Sequence, residues 1–199
     1  MTAPYCVRGL IPEDFPRASG LLARRWSREA ECGRPVDHDR DYALILPLRT
    51  GDQGHPQLHG LFEDEDLVAM WELDPTSPGP GWSASECREA SVSLLLLYSD
   101  PVHRHAGRLV SLWLADHFAH TSQPPAWLRC TTLDGRLAAH IARAWGWQEV
   151  RREGGRHLLQ LAPEIKPHLD LLVTGHSVCP ASGGSASPLA IARNDQPWQ

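Results

Sequence analysis

Residues Val92 to Tyr98 form an almost unbroken apolar run that Ser99-Asp100-Pro101 ends, and Gly107 then opens a second apolar stretch closing near Phe118. Seven residues without polar alternation are too few for a free-standing helix and suit a strand covered on both faces. The run therefore reads as a central strand followed by a helix. Between them lies Pro101-Val102-His103-Arg104-His105-Ala106-Gly107-Arg108. Glycine permits a tight turn there, and the helix that follows starts with unpaired N–H groups. Such a turn suits a phosphate: the helix dipole favours an anion by about 0.3–1 kcal/mol, and two arginines and two histidines stand alongside.

The bulk numbers narrow the class. A length of 199 residues suits one domain with an appendage. No segment approaches the roughly 18 consecutive apolar residues of a membrane helix, and Met1 to Cys6 lack the basic and apolar regions of a secretory signal. The expected location is cytoplasmic, with no membrane partner. The cysteines, Cys6, Cys32, Cys87, Cys130 and Cys179, show neither C-x-x-C pairs nor regular spacing, so no disulfide framework or zinc site is expected. A net charge of −5 argues against nucleic acid as a partner, because that binding rests on neutralising phosphates.

In chain order, Tyr5 to Gly9 reads as a strand. Pro12-Glu13-Asp14 starts a helix whose Phe15, Ala18, Leu21, Leu22 and Trp26 recur at three- and four-residue steps. Asp41 to Leu48 is a short second helix, and Leu58 to Glu63 and Leu67 to Leu73 are two strands joined by an acidic turn. After the central strand and its helix, Pro124-Pro125 precedes a strand from Trp127 to Thr131. Arg136 to Trp145 is a helix closed by Gly146, and Gln148 to Arg152 with His157 to Leu161 forms a hairpin. From Pro163 the pattern dissolves into a Ser/Gly/Ala-rich stretch. The expected organisation is one domain over residues 1–162 and a disordered, low-complexity tail over 163–199.

That element order, with a phosphate-type turn after the fourth strand, resembles the GNAT superfamily of acyl-coenzyme A N-acyltransferases over about residues 5–162. The family's first motif reads Arg or Gln, two residues, Gly, one residue, then Gly or Ala. Arg104-His105-Ala106-Gly107-Arg108-Leu109 matches it until Leu109. The second motif often reads Asn-x-x-Ala-x-x-x-Tyr-x-x-x-Gly-Phe, and here Gly135, Ala138, Ala142, Gly146 and Trp147 stand at those places. The resemblance implies an α/β fold with a mixed central sheet of about six to seven strands flanked by about four helices. It implies acetyl-coenzyme A as co-substrate, with its pyrophosphate on Arg104, His105, Ala106, Gly107, Arg108 and Leu109. Leu97, Tyr98 and Ser99 would pair with the pantetheine amides. No metal is implied.

Acetyl transfer needs a neutral amine. A lysine-like amine with a pKa of about 10.4 is neutral in roughly one molecule in a thousand at neutral pH, a penalty of about 4–5 kcal/mol, whereas an α-amine near 8 costs about 1–1.4 kcal/mol. Only the first needs a base. Glu72, within an apolar strand, is the first candidate, acting directly or through water, and its other reading is a strand-edge carboxylate facing solvent. Asp74, Glu86 and Glu89 are further carboxylates near the expected cleft. The resemblance places a thiolate-protonating tyrosine where this chain has Ala142, and Tyr98 or Ser99 is a candidate substitute. A thiolate of pKa about 8.5 leaves tolerably without such an acid. His140 points about 160° away from Ala142 on the same helix, and Cys130 lacks an identifiable base for an acyl-enzyme route. Trp26, Trp71, Trp82 and Trp113 are candidates for an apolar acceptor pocket or for the core.

Two functions remain. The first is an N-acetyltransferase carrying acetyl from acetyl-coenzyme A to a primary amine of a small molecule, less readily of a peptide or protein, by direct attack. The alternative is a non-catalytic module of the same fold that binds coenzyme A or a partner protein. Homodimerisation is left open.

Overall fold

The computed structural model describes residues 3–50, 58–76, 79 and 81–175. Eight strands, β1 (Tyr5–Gly9), β2 (Leu58–Glu63), β3 (Asp66–Asp74), β4 (Ser91–Ser99), β5 (Trp127–Thr132), β6 (Gln148–Glu153), β7 (Arg156–Leu161) and β8 (Val173–Gly175), form one sheet in the order β6-β7-β5-β4-β3-β2-β1-β8. Four helices flank it: α1 (Phe15–Glu31), α2 (His38–Thr50), α3 (Ala106–Ala119) and α4 (Gly135–Trp145). The β1 to β4 ladder is antiparallel, β4 and β5 run parallel, and β7 pairs antiparallel with both β5 and β6.

Each face of the sheet carries its own core. On one face α1 and α2 bring Ala18, Leu21, Leu22 and Ile45 onto Leu58, Phe62, Leu67 and Met70. On the other, α3 and α4 bring Val110, Trp113, Leu114, Ala138 and Ile141 onto Val7, Leu61, Trp71, Val92 and Leu94. The buried stripe of α1 recurs at three- and four-residue steps, as an amphipathic helix requires. Helix α4 is bounded chemically at both ends. The Asp134 carboxylate accepts from Arg136 N and Leu137 N, and Gly146 turns left-handed at φ +82°.

Two features of the sheet position the site. Glu72 of β3 lies opposite Leu96 while Leu73 lies opposite Leu94, so Leu95 is an extra residue in β4. A bulge of this kind bends its strand and takes one residue out of the ladder. In addition, β4 and β5 share register only over Ser91–Ser93 and Trp127–Arg129. Beyond that point β5 follows β7, β4 follows β3, and the two strands part.

The sequence-based boundary at residue 162 requires correction. Val173–Gly175 pairs in parallel with Tyr5–Val7, Leu169 and Val173 are buried, and Glu164 N donates to Ala115 O at 3.1 Å. The edge of β1 offers unpaired backbone groups, and this segment satisfies them. The rest of the expected tail, 176–199, lies outside the described residues. The eighth strand also takes the sheet one beyond the six to seven expected.

One buried group makes stability depend on pH. His59 of β2 is 4% exposed, neither ring nitrogen has a hydrogen-bond partner among the described residues, and its ring stacks on Trp71 at 5.9 Å. Burial, with the positive charge of a protonated His117 as the lesser cause, pushes its pKa down to about 4. Between about pH 6.5 and 4 the unfolded chain holds a proton at this position that the folded chain refuses, so stability falls as pH falls. The full loss is on the order of 3 kcal/mol. Unfolding free energies measured across that range should decline more steeply for the wild type than for His59→Leu. Equal slopes would show that His59 does not set the dependence.

Candidate functional site

The β4–α3 turn is fixed before any ligand arrives. Asp100, 4% exposed, accepts Arg24 Nε from α1 at 2.6 Å and Val102 N at 2.9 Å, while its own N–H donates to Val68 O at 2.8 Å. Within the turn Arg104 N donates to Val102 O, Ala106 N to His103 O, and Leu109 N to His105 O. The N–H groups of His105, Gly107 and Arg108 find no acceptor among the described residues. Arg104 and Arg108 are exposed and have no carboxylate partner among the described residues. Three N–H groups without described acceptors and two guanidiniums meet at one helix start, an arrangement that could hold an anion.

The residues expected to hold the cofactor thus divide. His105, Gly107 and Arg108 offer backbone donors, Arg104 and Arg108 offer side chains, and the N–H groups of Ala106 and Leu109 are already used. The histidines turn toward β1 and β2. His103 Nε2 lies 2.9 Å from Glu63 Oε2, and His105 Nε2 lies 2.7 Å from the Tyr5 hydroxyl, which donates to Glu63 Oε1 at 2.9 Å. Burial, with the Glu63 hydrogen bond, pushes the Tyr5 phenol up to about 12. Gly107 lies within α3 without a left-handed φ, so packing rather than turn geometry requires glycine there. A Cβ there would meet the Trp145 ring at 2.5 Å, so the indole of α4 lies directly against the start of α3.

Where β4 and β5 part, two cavities meet. One, of about 230 Å³, lies on the α3/α4 face and is walled by Leu97, Leu137, Ile141, Trp145 and Trp147. The other, of about 260 Å³, lies on the α2 face beside Arg40, Ser93 and Arg156. Leu94, Leu95, Cys130, Thr131 and Thr132 belong to both walls, so the opening passes through the sheet at the bulge. The edge of β4 that faces this opening, from Leu94 to Ser99, lacks a strand partner on its β5 side. Leu97 faces the apolar cavity, and Ser99 O accepts from Arg25 at 3.2 Å.

Of the candidate proton carriers, Glu72 is half-buried and takes register opposite Leu96, on the sheet face that Met70 turns to α1 and α2. It lines neither cavity. Tyr98 reaches α2 and donates to Asp41 Oδ1 at 2.5 Å, and the other oxygen of Asp41 accepts Trp26 Nε1 at 2.8 Å. Burial first, then the Asp41 hydrogen bond, holds the Tyr98 phenol well above its ordinary range. Glu86 is gripped by Arg151 and by Ser83, which pull its pKa down to about 2. Glu89 pairs with the fully buried Arg129, and Asp74 accepts Thr76 N at 2.7 Å. Trp71 and Trp113 are core, Trp82 is buried under Arg129, and Trp26 is engaged by Asp41. The tryptophans beside the opening are Trp145 and Trp147 instead. Leu95, Thr131, Arg40 and Arg156 carry no local signal that would have singled them out.

No protein-family model matches the sequence, and no curated protein matches it. Solved structures do. A GNAT-family acetyltransferase of Listeria monocytogenes superposes with a TM-score of 0.56 at 14% identity, covering 81% of this chain and 98% of that one. The PaiA N-acetyltransferase of Thermoplasma acidophilum, solved with coenzyme A, gives 0.53 at 14% identity over 79% and 98%. An aminoglycoside N(6′)-acetyltransferase of Legionella pneumophila gives 0.57 at 9% identity over 81% and 94%. The fold is that of the GNAT acetyltransferases.

Within this GNAT fold, Ala142 stands where the second motif has tyrosine and packs half-buried against the α3/α4 core. His140 on the same helix is exposed and meets Trp145 edge-on. Cys130 faces the opening, but burial pushes its thiol up to about 12. A thiol held protonated is a poor nucleophile. Alkylation at mildly alkaline pH, followed by mass spectrometry, should modify the exposed Cys32 and Cys87 well before Cys130. Labelling of Cys130 at their rate would show an activated thiol.

Proposed function

We propose that the protein is an N-acetyltransferase that moves the acetyl group of acetyl-coenzyme A onto a primary amine of a small molecule by direct attack. The observation that carries this reading is the opening between β4 and β5. It joins an apolar cavity beneath a helix start with free N–H groups to a polar cavity beneath α2.

The roles follow from placement. The N–H groups of His105, Gly107 and Arg108, with the guanidiniums of Arg104 and Arg108, hold the pyrophosphate. The free edge of β4 at Leu97 to Ser99 pairs with the pantetheine amides, and Leu97, Ile141 and Trp145 cover the apolar arm. The thioester then lies at the bulge, where the Leu95 N–H, outside the ladder, faces the oxyanion that develops on attack. Holding thioester and amine together in one narrow opening supplies much of the remaining acceleration. Glu72, across from the bulge on the acceptor face, takes the amine proton through water. Tyr98 keeps its proton for Asp41 and anchors α2 rather than protonating the thiolate.

Ala142 favours one second reading, a coenzyme A-binding module without turnover, because no group of ordinary acidity among the described residues of the apolar cavity replaces the tyrosine. Two measurements separate them. Calorimetric titration should show acetyl-coenzyme A binding to the wild type and at least tenfold weaker binding to Arg104→Glu and Arg108→Glu, about 1.4 kcal/mol each. Saturation at 100 times the dissociation constant should raise stability by about 2.7 kcal/mol. Thiol release with lysine-like amines should drop about 10²–10⁴-fold in Glu72→Gln with cofactor affinity unchanged. Binding without release for any amine would establish the module, and no binding would end both readings.

A further inference from the structure

The wall of the cavity under α2 has a charge opposite to that of the protein. The chain carries 24 acidic and 19 basic residues, yet this wall contains two guanidiniums, Arg40 and Arg156, and no described carboxylate. The two come from distant elements, the first turn of α2 and the start of β7, and converge on one space of about 260 Å³. Neither guanidinium has an ion pair or hydrogen bond among the described residues, whereas ten other arginines bond carboxylates or backbone carbonyls through theirs. The nearby acids are engaged elsewhere. Asp41 holds Tyr98 and Trp26, Asp74 holds Thr76, Asp37 accepts the backbone N–H of Arg40 at 3.0 Å, and Asp39 borders a separate groove with Trp26 and Tyr42. Arg40 also sits at the positive end of its helix, where a cation gains nothing from the dipole.

We propose that this cavity selects an acceptor amine that also carries a carboxylate, held between Arg40 and Arg156. The planar forks of arginine match a carboxylate with paired hydrogen bonds, and the Thr131 hydroxyl on the same wall adds a neutral partner. With its carboxylate there, the acceptor presents its amine toward Leu95 and Cys130, which line both cavities. A polycation is disfavoured, because it would bring like charge against both guanidiniums. The identification of the bound group as an acceptor rests on the acyl-transfer reading; the preference for an anion does not.

The test is equilibrium binding of matched probes to the full chain, with and without saturating coenzyme A. The probes are α- and ω-amino acids, short peptides with a free C-terminus, the carboxamide of each, and a diamine. The carboxylate member of at least one pair should bind at least tenfold more tightly than its carboxamide, and the diamine should bind more weakly than either. Arg40→Gln and Arg156→Gln should each shrink that ratio, and the double variant should bring it to about one with its thermal unfolding unchanged. Arg40→Lys and Arg156→Lys should retain part of it. Whether free amino acids or peptides show the preference identifies the source of the carboxylate. Equal binding of acid and amide, tighter binding of the diamine, no binding of any probe, or a ratio that survives the double variant would overturn the proposal. A chain that takes up no coenzyme A would sink the acyl-transfer reading instead, and the acid-to-amide ratio is still read without cofactor.

Discussion

Strand β4 must satisfy two neighbours whose directions diverge. It pairs with β3 from Ser93 opposite Asp74 to Ser99 opposite Ala69, with one shift of register at Leu95, but with β5 only over its first three residues. Twist accumulates between neighbouring strands, and a bulge increases it locally. The extra residue Leu95 lies just past the last paired residue, Ser93, so bend and separation coincide. Backbone groups on a strand edge are costly to bury without partners. A gap of this kind is tolerated where water or an extended ligand completes the ladder, and the cavities on both faces open at that point.

Around the gap, polar clamps hold each wall. Asp100 ties the β4–α3 turn to α1 through Arg24 and to β3 through Val68. On the other side the buried Arg129 guanidinium donates to Glu86 O at 2.6 Å, pairs with Glu89 and lies 4.5 Å above the Trp82 ring. Arg151 donates to both oxygens of Glu86 and to Gly81 O. These contacts fix the segment that leads into β4. Gly107 against Trp145 fixes α3 against α4 in the same way, by close packing where any side chain would intrude. The opening is therefore framed by rigid elements, which is what positioning two reactants requires.

Several features were legible because their causes are local. The apolar run of β4, the stripe of α1, the Asp134 cap and the Gly146 stop of α4 each depend on residues within a few positions of one another, and they stand where the sequence places them. Other features were not. Three residues of β8 carry too little pattern to announce a strand, and only the vacant edge of β1 makes them one. Glu86 and Glu89 read as cleft carboxylates until Arg151, at a separation of 65 residues, and Arg129 take them. Tyr98 reads as an acid at the thioester end until its hydroxyl is seen donating to Asp41 of α2.

The sequence by itself determined the element order, the apolar cores of the central elements and the arginine-bearing turn before α3, because hydrophobic period, capping and turn chemistry act over short distances along the chain. Tertiary structure alone decided which N–H groups of that turn remain free, which carboxylates are engaged, where β4 leaves β5, and that Arg40 and Arg156 face one cavity. Each of these depends on partners far apart in sequence. Their meeting is set by strand register and twist, which no local pattern encodes.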